Sequence, residues 1–200
     1  KSQYSVKGHR LDISDPTSIN SFFSQIEKNG KNPSVLVNNA AFTKNIDNKT
    51  FIDVSATELS QIINSNLLGT ILCMNGFLQI LKLDSSDRRK DIINISSNSV
   101  QTLNASNLGY TACKAAIENL TKSYGKHYAN IARINCVAPG LMLTAMTRDS
   151  SESRFQEVQN LTPLDRLCTP SDIASTVWAI VNNLSFINGQ IITVDGGRTL

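Results

Sequence analysis

Tyr110 and Lys114 stand four residues apart in Tyr110-Thr111-Ala112-Cys113-Lys114, within a stretch that reads as a helix from about Asn107 to Ala129. Residues at i and i+4 share a helical face, so the ammonium can approach the phenol. A positive charge at that distance favours the phenolate and should draw a group with a free pKa of about 10 towards neutrality. Such a tyrosine is a candidate general acid and base. The same spacing also describes a solvent-facing lysine beside a half-buried tyrosine, and three further features weigh against that. Ser97 lies thirteen positions before Tyr110, Asn38-Asn39-Ala40-Ala41 ends one apolar run, and Pro139-Gly140 ends another.

These residues need elements to position them, and the chain alternates strand and helix signals throughout. Tyr4-Ser5-Val6 and Leu11-Asp12-Ile13 read as a strand over residues 1–13. Asp15-Pro16 is an N-cap followed by proline at the first helical position, with Ile19, Phe22, Phe23 and Ile26 as the apolar stripe and Asn29-Gly30 as the stop. Val35-Leu36-Val37 is continuously apolar, as a strand buried on both faces of a parallel sheet would be. Ser55-Ala56-Thr57-Glu58 is a capping box opening a helix carried to about Leu83. Ile92 to Ile95, Ile131 to Val137 and Ile191 to Val194 read as further strands, and Pro170-Ser171-Asp172 opens a last helix through Trp178 to Val181. Residues 141–161 read as a lid. The pattern predicts a doubly wound parallel α/β sheet with ligands at the carboxyl ends of its strands.

Composition bounds the rest. The 200 residues fit one domain, and 40% hydrophobic with 18% charged residues describes an ordinary globular chain. A net charge of +3 without a basic run gives no reason to expect a nucleic-acid partner. Cys73, Cys113, Cys136 and Cys168 have no metal-ligand spacing, so no metal is expected. Cys113 reads as packing, not as a redox centre. No run of ~20 apolar residues is legible and residues 1–10 lack a signal peptide's apolar core, so no membrane partner is expected. The expected location is cytoplasmic, with an organellar leader ahead of Lys1 left open.

Taken together, Asn38-Asn39-Ala40-Ala41, Ser97, Tyr110-x-x-x-Lys114 and Pro139-Gly140 resemble the short-chain dehydrogenase/reductase family over essentially the whole chain. The resemblance implies a single Rossmann-type domain over residues 1–200, catalysing NAD(P)-dependent interconversion of a ketone and a secondary alcohol. It implies four catalytic positions. Asn66 matches a helix asparagine whose backbone helps hold a relay water, and Ser97 matches a donor to the substrate carbonyl. Tyr110 matches the proton donor, and Lys114 the residue that lowers its pKa and contacts the nicotinamide ribose. The cofactor, NADP or NAD, should meet Asp12 and Ile13 beside the adenine, Asn38 and Ala40 beside the adenosine ribose, and Pro139, Gly140, Met142 and Thr144 beside the nicotinamide, as well as Tyr110 and Lys114. Ala41 departs from the family's glycine and leaves less room for the backbone to approach.

The family's opening strand, glycine-rich turn and helix, which hold the pyrophosphate, have no counterpart among these 200 residues. The fold is therefore expected to be N-terminally incomplete, and residues 1–200 to bind dinucleotide poorly by themselves. Pro163 to Leu167 followed by Thr169 to Ala174 most resembles β-ketoacyl carrier-protein reductases of fatty acid biosynthesis. Sugar or other alcohol dehydrogenases are the alternative substrate class. A non-catalytic dehydrogenase-like binding protein is the alternative function, supported by the missing turn and opposed by the matched tetrad. The partners implied are a small carbonyl or alcohol substrate and further copies of the chain. Homodimer or homotetramer formation is expected through the helices bearing Leu67 to Leu83 with Phe77, and Ile117, Leu120 and Tyr124.

Overall fold

The structure is a computed structural model that describes residues 6–30, 33–84, 86, 89–147 and 150–200. Four strands, β1 (Val35–Asn38), β2 (Asp91–Ile95), β3 (Arg133–Pro139) and β4 (Ile191–Val194), form one parallel sheet in the order β1-β2-β3-β4. Each crossover carries helix, as parallel neighbours require.

The helices start where their caps dictate. The Asp15 carboxylate accepts the Thr17 amide at 2.9 Å to open α1 (Pro16–Lys28). The Ser55/Glu58 capping box opens α2 (Ala56–Ile63), which runs through a π-helical segment, Asn64–Leu68, into α3 (Gly69–Leu83). After β2 come a short α4 (Ser99–Thr102) and then α5 (Leu108–His127), capped by Asn107. The lid segment contains α6 (Glu152–Asn160), and Thr169 with Asp172 forms a second capping box at α7 (Pro170–Asn182). Residues 148 and 149 of the lid lie outside the described residues.

Strand alternation divides two cores. Ile92 and Ile134 face α1, α3 and α5, packing with Ile19, Phe23, Met74 and Phe77. Ile93, Ile95 and Val137 face the opposite way and pack with Ile173 and Ile180 of α7. The sheet is thus parallel with helices on both faces, as the alternation predicts. The 28-residue run Ala56–Leu83 is long and apolar enough by composition to cross a membrane, contrary to the reading of the sequence. Half of its apolar window is buried against this core.

Three expectations need correction. Residues 6–13 form no strand; Tyr4 and Ser5 lie outside the described residues. A strand needs a hydrogen-bonded neighbour, and among the described residues the sheet ends at β1. Val35-Leu36-Val37 is not buried on both faces: Val37 pairs in register with Ile93 on the α7 side and is 42% exposed, because α7 lies mainly over β3 and β4. The strand read over Ile131 to Val137 instead spans Arg133–Pro139, with Pro139 paired opposite Val194. At a strand's last position its missing N–H interrupts no ladder.

Candidate active site

A cleft of about 630 Å³ opens at the carboxyl ends of the strands. It gathers Ser97, Tyr110, Lys114, Pro139, Gly140, Met142 and Thr144 from three separate segments. Asp12, Ile13 and Ala40 line a separate hollow of about 360 Å³ with Arg10, Phe42 and Ser65. Asn38 and Asn66 line neither.

Tyr110 is set by the start of α5. The fully buried Asn107 accepts the Tyr110 amide on Oδ1 at 2.7 Å, while its Nδ2 donates to the Lys44 carbonyl at 2.8 Å and to Thr43 Oγ1 at 3.2 Å. One side chain therefore caps the helix and ties it to the loop after β1. Sequence reasoning placed the helix start but missed this residue; an asparagine three positions before the tyrosine at a helix boundary was the available signal.

Lys114, only 3% exposed, donates to the Ile95 carbonyl at 2.7 Å, and its Nζ lies 5.4 Å from the Tyr110 ring centroid. The expected effect on the phenol is reversed. Burial raises Tyr110 to about 12, and burial also lowers Lys114 to about 8. Desolvation penalises the charged form of each group and is the largest cause of both shifts. Tyr110 is accordingly a protonated phenol.

Ser96 and Ser97 are told apart by their partners. Ser96 is buried and its hydroxyl donates to Glu118 Oε1 at 2.8 Å. The Ser97 oxygen accepts the Ser99 amide at 3.1 Å, which leaves its own hydrogen free to donate. Cys113 is buried with its thiol raised by desolvation, in keeping with packing.

The supports are as specific as the site. Asn66 is buried in the π-helical segment; its side chain donates to the Phe42 carbonyl at 2.6 Å and accepts the Phe42 amide at 3.1 Å. Its own carbonyl accepts the Thr70 hydroxyl at 2.8 Å. Its observed contact is thus a grip on the loop after β1. Asn38 donates to Asn94 Oδ1 at 2.9 Å and braces β1 to β2. A Cβ on Gly69 would lie 2.1 Å from the Ile13 carbonyl oxygen, so only glycine lets α3 approach the Asp12-Ile13 loop. The Ser14 hydroxyl and amide bind the Asp12 carboxylate and lower its pKa. Gly140 abuts Asp195, whose carboxylate accepts Asn98 Nδ2 at 3.2 Å; neither Asn98 nor Asp195 was singled out from sequence as a site support.

Comparison with known proteins identifies the family. The family described as enoyl-(acyl carrier protein) reductase matches residues 1–199. The 3-oxoacyl-[acyl-carrier-protein] reductase FabG of Aquifex aeolicus is 33% identical over 98% of this chain and 78% of its own. The NADPH-dependent aldehyde reductase 2, chloroplastic, of Arabidopsis thaliana is 31% identical over 96% of this chain and 70% of its own. A short chain dehydrogenase from Leptospira borgpetersenii, solved with bound NAD+, superposes with a TM-score of 0.87 at 27% identity, covering 96% of this chain and 75% of that one. The Thermoplasma acidophilum aldohexose dehydrogenase gives 0.86 at 27% identity, over 100% and 80%. The chain belongs to the short-chain dehydrogenase/reductase family, and is accordingly an NAD(P)-dependent oxidoreductase acting between a carbonyl and an alcohol.

Proposed function

We propose that this cleft reduces a 3-oxoacyl thioester to the 3-hydroxy compound, with Ser97, Tyr110 and Lys114 as its catalytic residues. The carrying observation is a pair of donors lining one cleft. Ser97 has its oxygen held and its hydrogen free, and Tyr110 is a protonated phenol with no protein partner among the described residues.

Negative charge developing on a substrate carbonyl oxygen is met by the Ser97 hydroxyl, and Tyr110 gives its phenolic proton to the same oxygen. Lys114 then faces a newly formed tyrosinate. Its charge matters at that moment more than before it, because the product of proton transfer is the ion that the buried site disfavours. The dinucleotide, when bound, supplies or takes up the hydride. The residues present fit its nicotinamide end: Lys114 has three donor hydrogens and gives one to Ile95, and Gly140 leaves its Cβ space to Asp195. Tyr110, Lys114, Pro139, Gly140, Met142 and Thr144 would hold that end, and Asp12, Ile13 and Ala40 the adenosine end. Asn38 and Asn66 act at one remove, by bracing the sheet and gripping Phe42.

Residues 1–200 form a single domain in this reading, and the protein assembles as a homodimer or homotetramer. The helix faces expected to pair need revision, because Phe77 and Ile117 are buried in the protomer's own core. Trp178 and Phe186 remain largely exposed and are better candidates for burial between copies.

The test is turnover of acetoacetyl thioesters and sugars by the full-length protein and its Tyr110→Phe variant. The variant keeps the ring but lacks the acid, and reduction should fall by at least ~10²-fold. A folded Tyr110→Phe protein working near the wild-type rate would refute the assignment.

A further inference from the structure

Two cationic side chains that the mechanism does not use line the same cleft from separate elements. Arg154 comes from α6 and Arg198 from the turn after β4. Arg154 Nη2 donates to Asn104 Oδ1 at 3.2 Å, which links α6 to the loop before α5. The Arg198 guanidinium has no hydrogen-bonding partner among the described residues. Neither arginine has a carboxylate partner among the described residues, whereas Arg166 and Arg133 each have one.

The charge of the cleft is therefore one-sided. Among the described residues, Lys114, Arg154 and Arg198 line it against one carboxylate, Asp47, which already accepts the Lys49 amide at 2.9 Å in its own turn. Ile46, Leu141, Met142 and Met146 supply apolar wall beside these charges. Low-dielectric walls strengthen a cleft's field, and guanidinium groups offer paired N–H donors that match carboxylate and phosphate oxygens.

We propose that the substrate of this cleft is a ketone bearing an anionic group, a carboxylate or a phosphate, held by Arg154 and Arg198 while its carbonyl meets Ser97 and Tyr110. The proposal rests on the reductase reading and narrows it to an acidic, amphipathic substrate. A small oxo acid would present a carboxylate, and a pantetheine-type carrier would present phosphate.

The experiment compares matched pairs on full-length protein: acetoacetate against methyl acetoacetate, and acetoacetyl-coenzyme A against acetoacetyl-N-acetylcysteamine. The quantity read is the ratio of kcat/KM for the anionic over the neutral member, in wild type, Arg154→Gln, Arg154→Lys and Arg198→Gln. In at least one pair the wild type should favour the anion by about tenfold or more, the scale of a hydrogen bond to a charged group. Both glutamine variants should collapse that ratio, and Arg154→Lys should retain part of it. The pair that responds identifies carboxylate or phosphate as the source. Turnover of the neutral members with no preference for the anion, or a ratio unchanged in both glutamine variants, overturns this proposal alone. A raised cofactor KM at a constant ratio also overturns it, by assigning the arginines to the dinucleotide. No turnover of any of the four compounds by wild type removes the reductase reading, and this proposal with it.

Discussion

Asn107 holds the backbone of Tyr110 by a 2.7 Å hydrogen bond and holds Lys44 by another of 2.8 Å, so the acid of the site is fixed to the loop after β1 through one buried amide. Asn107→Ala removes the cap and leaves the Lys44 carbonyl and the Tyr110 amide short of a partner. Stability should fall by about 2 kcal/mol, the upper part of the range for losing a cap. Asn107→Asp keeps the acceptor for Tyr110 and should recover activity better than it recovers stability. Urea unfolding together with kcat for the two variants checks the split.

Lys114 is expected to trade stability for function. Its pKa is lowered from 10.5 to about 8 by burial, so below pH 8 the folded chain carries a charge that the buried site disfavours. The unfolded chain binds more protons between pH 8 and 10.5, and stability therefore rises with pH across that window. Lys114→Met should be more stable than wild type at pH 7 by up to about 3 kcal/mol. The difference should close as pH rises from 8 to 10.5. Reduction by wild type should weaken as pH passes 8 and the ammonium is lost, and the variant should lack that limb. Unfolding curves at pH 7 and 10.5 and a pH–rate profile test both statements.

Gly69→Ala puts a methyl group into the Ile13 carbonyl, where the obstacle is backbone and cannot rotate away. The cost should be about 1–3 kcal/mol, the range for overpacking. Displacing the Asp12-Ile13 loop should also raise the cofactor KM more than it lowers kcat. An unchanged KM in a destabilised variant would separate that loop from the adenine site.

Residues 1–200 contain no glycine-rich turn, and the described residues fit mainly the nicotinamide end of the cofactor. Calorimetry on these residues alone should show no micromolar binding of NADH or NADPH. A longer chain that supplies a strand, glycine-rich turn and helix ahead of Lys1 should bind.

Much of the scaffold is local chemistry and was legible for that reason. Asp15-Pro16 and Ser55-x-x-Glu58 are side-chain caps set by neighbouring residues, and both helices start there; Pro170-Ser171-Asp172 marked the start of the last helix, without its Thr169 cap. The Tyr110/Lys114 pair and its gap to Ser97 were legible because one helix and one strand end place them. The direction of the Tyr110 shift was not, since burial is a property of the assembled cleft and a four-residue spacing contains no measure of it. The helix position of Asn66 was legible but its grip on Phe42 was not, since the sequence does not show that Phe42 would come to lie against its side chain. Arg154 and Arg198 are 44 positions apart and come to line one cleft only through the fold.

The open side of β1 has a consequence for handling the protein. Among the described residues no strand pairs with its outer edge, and Val37 adds apolar surface there. An unpaired, partly apolar edge is a template for another chain. Residues 1–200 expressed alone should self-associate edge to edge as concentration rises, and their outer β1 amides should exchange hydrogen faster than those of β2. A charged residue at Val37, such as lysine, should raise the concentration at which association begins without altering the cleft.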